Sequence, residues 1–131
     1  MSFFARIFKR EELSTIDKKW NHFILKIYEE DFNLDSLDIV MRKLALCIYY
    51  DDAVCGGGHS AFFERYSKLD NEELISALKE IGNKKIADNF KEALEIGERD
   101  DYVHVDDTYY SFEPDLFYFI QEYFESNLDI F

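Results

Sequence analysis

"AVCGGGHSAFFERYS", residues 53–67, decides how this chain is read. Three glycines, Gly56, Gly57 and Gly58, stand between Cys55 and His59, and the aromatic pair Phe62 and Phe63 follows. A phosphate-binding loop needs glycines at set offsets with a Lys-Ser/Thr pair or a preceding strand. Here the glycines follow a helical pattern, no lysine accompanies them, and Asp51, Asp52 and Glu64 lie close enough in sequence to oppose an anion. Consecutive glycines do permit positive φ and close backbone approach. The stretch is therefore expected to be an architectural corner between the second and third helices of an all-α protein.

Outward from this corner the apolar residues recur three or four positions apart. On the N-terminal side, Leu13, Ile16, Trp20, Phe23, Ile24 and Ile27 mark a first helix. Asn33 or Asp35 offers a break and an N-cap, and Leu37, Val40, Met41, Leu44, Ala45 and Ile48 mark a second. Beyond the corner, Ala61, Phe62, Phe63 and Tyr66 make a short third helix. Asp70, with Glu73 three residues on, is an N-cap for a fourth carrying Leu74, Ile75, Ala77, Leu78 and Ile81. Gly82 stops that helix in the manner of a C′ glycine. Asn83 caps a fifth with Ile86, Ala87, Phe90, Ala93 and Leu94. "ERDDYVHVDDTYYSFEPD", residues 98–115, has no clear helical period, and "YVHV" reads as a brief extended piece. Pro114 suits the first turn of a last helix presenting Leu116, Phe117, Phe119, Ile120, Tyr123, Phe124 and Leu128. The expectation is a compact bundle of about six helices, with residues 1–131 as a single domain.

Composition agrees with this class. Apolar residues make up 47% and aromatics 18%, and there is one proline, which favours long regular elements over a loop-rich β design. Cys47 and Cys55 do not make a disulfide framework at this size. No apolar run approaches a membrane span and no signal peptide is visible, so a cytoplasmic location without stable membrane association is expected. Residues 1–10, "MSFFARIFKR", form a short basic amphipathic stretch. Such a stretch frays, docks on the domain, or touches an anionic membrane surface.

Charge is the strongest functional signal. Acidic residues number 28 against 15 basic, for a net charge of -13. Residues 98–131 hold ten acidic groups and only Arg99, whereas residues 1–27 carry six basic and three acidic groups. Such a surface repels nucleic acid, because phosphate contacts need cations, and attracts basic proteins. Glu95, Glu98 and Asp101 share one side if their helix continues that far, and Glu122 and Glu125 share one on the last helix. With Asp106 and Asp107 they are the expected contact residues for a basic partner.

Chemistry at a small site has weaker support. His59, His104, Asp106 and Asp107 are metal-ligand types, but no HExxH, CxxC or calcium-loop spacing is present. Cys55 as a nucleophile requires a base, His59 or His104, placed by the fold. A small enzyme or metal protein centred on Cys55, His59 and His104 is thus the minor alternative, and no cofactor is expected.

With these residues in view, the chain resembles the DNA-mimic protein family of small helical bacterial domains. Gly57 and Gly58 match that family's glycine pair, and Phe62 and Phe63 its aromatic pair. Ala77, Leu78, Ile81 and Gly82 match its "AL…IG" segment, and Tyr123, Asn127 and Phe131 its closing pattern. The resemblance covers about residues 37–131. Gly56, His59 and Ala61 stand where the family favours Asn, Phe and Gln. The resemblance implies an all-α fold and a non-enzymatic role in which the protein occupies the nucleic-acid-binding surface of a basic regulator. An immunity-type inhibitor of a basic toxin uses the same physics and stays open as an alternative. The aromatic-rich segment with Tyr109, Tyr110, Phe112, Phe117, Tyr118 and Phe119 holds more large apolar groups than one helix face buries, and a homodimer seam is one outlet for them.

Overall fold

Trp20, Tyr50, Phe62, Phe90 and Phe124 are among the largest fully buried side chains of the computed structural model, which describes residues 14–131. Six α-helices surround this aromatic core, and the described residues contain no strand. The basic stretch at residues 1–10 lies outside the described residues.

The first helix, α1 (Thr15–Ile27), starts where the Ser14 side chain accepts a hydrogen bond from the Asp17 N–H, and it buries Trp20, Phe23, Ile24 and Ile27. A 3-10 turn at Leu34–Ser36 follows, capped by Asn33. The second helix, α2 (Ile39–Arg65), spans 27 residues and is capped by Asp38, whose side chain accepts from the Met41 N–H. Asn33 therefore caps a short turn, and Asp38, rather than Asn33 or Asp35, opens the long helix.

Every residue from Leu44 to Asp51 is buried. Such a run covers all faces of a helix, so α2 is the central element that the others enclose. It packs on α3 (Asn71–Ile81), α5 (Val103–Ser111) and α6 (Leu116–Ser126), and α4 (Lys84–Ile96) packs on α3 and α5. α1 closes the remaining side. The Trp20 ring meets Phe117 and Phe124 edge-on, and the Tyr49 hydroxyl donates to the Ile27 carbonyl.

The second and third helices of the sequence reading lie within α2, on either side of a kink where Gly57 and Gly58 leave helical geometry. Two expectations need correction. The "YVHV" piece is not extended: a 3-10 turn at Gly97–Asp100 and two left-handed residues, Asp101 (φ 58) and Tyr102 (φ 65), lead into α5. The Asp100 side chain accepts from the His104 N–H and supplies the start signal that α5 otherwise lacks. Pro114 precedes Asp115, the N-cap of α6, instead of sitting in its first turn.

Gly82 does end α3, but its φ of -92 is not left-handed. Space requires the glycine there, since a Cβ would stand 2.9 Å from the Leu78 carbonyl oxygen and 3.2 Å from Leu116 Cδ1. Asp70 and Asn83 cap α3 and α4 as their sequence positions suggest. Of the six aromatics around residues 109–119, Tyr109 is buried, and Phe112, Phe117 and Phe119 pack against the core. Only Tyr110 and Tyr118 stay largely exposed.

Candidate functional site

The break in α2 organises the polar chemistry of this protein. Gly57 leaves helical geometry and Gly58 takes φ 77, so a new helical segment begins at His59. Free N–H groups at such a start favour an acceptor. Asp106, from the first turn of α5, supplies it: its Oδ1 accepts from the His59 backbone N–H at 2.8 Å and from His59 Nδ1 at 2.7 Å. A Cβ on Gly58 would fall on Asp106 Oδ2, so the glycine is needed for space as well as for backbone.

The His59 imidazole is fully buried, and its Nε2 lies 2.6 Å from the Tyr50 hydroxyl. Burial lowers the pKa of His59 more than the Asp106 carboxylate raises it. The ring is therefore neutral at neutral pH, with Nδ1–H donating to Asp106 and Nε2 accepting from Tyr50. Edges and faces of Phe62, Phe90 and Tyr109 pack around the Tyr50 ring.

A second buried pair lies before the break. The Tyr109 hydroxyl donates to Asp51 Oδ1, and Cys55 Sγ stands 3.7 Å from the same oxygen. Burial pushes the Asp51 carboxyl up to about 6, against the Tyr109 hydrogen bond, which lowers it. Partial burial of the thiol first, and then the Asp51 charge, push Cys55 up to about 12. A nucleophilic cysteine needs the opposite shift.

The three residues of the alternative centre, Cys55, His59 and His104, each have other neighbours, Cys55 beside Asp51. Both ring nitrogens of His59 are engaged by Asp106 and Tyr50, and exposed His104 sits 3.7 Å from Glu92. Among the described residues, no group of three or more His, Cys, Asp or Glu side chains is arranged to hold a metal ion.

The expected contact carboxylates fall into distinct settings. Glu95 is exposed in the last turn of α4, Glu98 in the following 3-10 turn, Asp101 just after it, and Asp107 on α5. The 3-10 turn packs on both α4 and α5, which ties these four to one part of the molecule. They are not on one helical face, because α4 ends at Ile96. Glu122 and Glu125 are exposed on α6. Asp106 differs from the rest: it is partly buried and committed to His59.

Among the described residues, the Lys and Arg ion pairs lie elsewhere. Arg42 pairs with Asp35 and Glu73, Lys43 with Glu80, and Lys84 with Asp88. Among the described residues, Glu95, Glu98, Asp101, Asp107, Glu122 and Glu125 have no Lys or Arg partner. Sequence reasoning missed Tyr50, Asp51 and Tyr109 as polar partners. The signal for Asp51 is only a carboxylate at the end of a run of apolar residues.

Fold and surface together define an acidic helical domain. A family model described as DMP19-like protein matches residues 35–130, and the chain belongs to that family. The comparison with curated proteins gave no match, nor did the comparison with solved structures. No helix among the described residues is long and apolar enough to cross a membrane.

Proposed function

We propose that this protein is a non-enzymatic acidic binding module that occupies the nucleic-acid-binding surface of a basic protein, standing in for DNA. The observation that carries the reading is the set of exposed carboxylates, Glu95, Glu98, Asp101, Asp107, Glu122 and Glu125, without Lys or Arg partners among the described residues. Exposed carboxylates without cation partners leave a surface with a negative potential that attracts a cationic protein. Membership of the DMP19-like family, together with the resemblance to DNA mimics, supports the same reading. Asp106 is left out of the contact set because its carboxylate serves the fold.

The partner is expected to be cationic, and nucleic acid itself is repelled. Capture of partners from native cytosol on the immobilised chain at low salt, followed by a salt step, tests this. A basic nucleic-acid-binding protein released by salt supports the proposal. Recovery of only neutral or acidic proteins, held equally at high salt, contradicts it.

A further inference from the structure

A groove of about 570 Å³ lies between α5 and α6, lined by Tyr110, Glu113, Asp115 and Tyr118 among others. The Tyr110 hydroxyl donates to the Val54 carbonyl at 2.7 Å, and the Tyr118 hydroxyl donates to Glu122 at 2.9 Å. Both rings are thus held at their outer ends, yet Tyr110 is 56% and Tyr118 47% exposed. Aromatic rings fixed in this way lose little freedom on binding, and their faces attract cations.

The charge around the groove has one sign. Glu113 and Asp115 line it, Glu122 touches the Tyr118 hydroxyl, and none of the three has a Lys or Arg partner among the described residues. Lys84 and Lys85 border a neighbouring groove that shares Ser111, Phe112, Glu113 and Pro114, so Glu113 stands between the two grooves while Asp115 lines only the Tyr110–Tyr118 groove.

We propose that the Tyr110–Tyr118 groove receives an arginine side chain of the basic protein partner. This rests on the binding-module reading and names its anchor. A guanidinium stacks on tyrosine faces and pairs in a fork with carboxylates, whereas an ammonium is more strongly hydrated and lacks the planar fork. An apolar segment would desolvate Glu113, and would leave Asp115 only its capping hydrogen bond from the Tyr118 N–H. A second copy of this chain also carries a net charge of -13, which opposes self-association.

The test titrates an arginine–glycine repeat peptide and its lysine–glycine counterpart into the full chain at low salt, with Tyr118→Leu and Tyr110→Leu as variants. The arginine peptide is expected to bind more tightly, and each variant to weaken it on the order of tenfold. The lysine peptide is expected to change by less than about threefold. Tyr118→Leu removes no hydrogen bond to another helix, and amide shifts of residues 110–118 in the unsubstituted chain provide a readout free of folding effects.

If both peptides bind but neither tyrosine matters, or the shifts move elsewhere first, the groove assignment is wrong and the binding-module reading stands. If neither peptide binds, the groove assignment is wrong, and the partner capture decides the binding-module reading separately. A homodimer seen by light scattering and lost in Tyr118→Leu would give the groove to a second copy and overturn the proposal.

Discussion

Asp106 and His59 lie 47 positions apart, yet one carboxylate oxygen of Asp106 accepts both the backbone N–H and the ring Nδ1–H of His59. The pair fastens α5 to the broken point of the central helix. Replacing Asp106 with Ala strands two buried donors, and a loss of about 2–4 kcal/mol is expected in urea unfolding. Asp107→Ala, a neighbour that is exposed, is expected to change stability by less than about 0.5 kcal/mol. Equal effects of the two substitutions would remove Asp106 from the fold.

The glycines of the α2 break are expected to respond unequally. Gly58→Ala combines φ 77 with a clash against Asp106, and a loss of about 2 kcal/mol or more follows. Gly56 is helical, and nothing lies within 4 Å of where an added Cβ would stand. Gly56→Ala is therefore expected to stabilise by up to about 1 kcal/mol. Thermal unfolding of the two variants separates these outcomes.

Buried titratable groups set two opposing slopes with pH. Asp51 has its carboxyl raised from 3.8 to about 6, so the native state holds its proton more tightly than the unfolded chain does. Its contribution to stability is fully present below 3.8 and is lost as pH rises through about 6. Asp51→Asn keeps an acceptor for Tyr109 and is expected to remove that slope, a difference of at most about 3 kcal/mol across the window. His59 works the other way: its pKa is lowered, so its contribution is present above 6.5 and lost as pH falls below it. Urea midpoints of the parent and Asp51→Asn chains from about pH 4 to about pH 7 isolate the first effect; parallel curves would contradict it.

Cys55 is exposed but is expected to be a poor nucleophile. With its thiol pushed up to about 12, the thiolate is scarce at neutral pH. Alkylation by iodoacetamide is expected to run at least about tenfold slower than for a free cysteine peptide. Asp51→Asn removes one of the charges responsible and is expected to speed it. A rate at or above that of the peptide would reopen cysteine chemistry at this site.

The fold is legible in the sequence where spacing and caps agree locally. α1, α3, α4 and α6 follow their apolar stripes, and Asp70 and Asn83 announce α3 and α4. α5 is hidden because its buried residues are few, Val105 and Tyr109, and its start signal, Asp100, lies before two left-handed residues. α2 reads as two helices, and its backbone does leave helical geometry between them at Gly57 and Gly58. The acidic surface is visible as composition, but the separate role of Asp106 is not. A contact to His59 from so far along the chain leaves no local pattern, and only packing distinguishes Asp106 from exposed Asp107.

The central claim is that the carboxylates of the α4–α5 turn and α6 dock a cationic protein. The most direct test is the ionic-strength dependence of the affinity for the captured partner. It would compare the parent chain with a variant carrying Glu95→Gln, Glu98→Gln, Asp101→Asn and Asp107→Asn, and with a control carrying Glu64→Gln and Glu72→Gln. Affinity is expected to fall steeply with salt for the parent and the control, and the four-site variant to bind more weakly with a shallower slope. An affinity indifferent to salt, or equal losses in the variant and the control, would contradict the account.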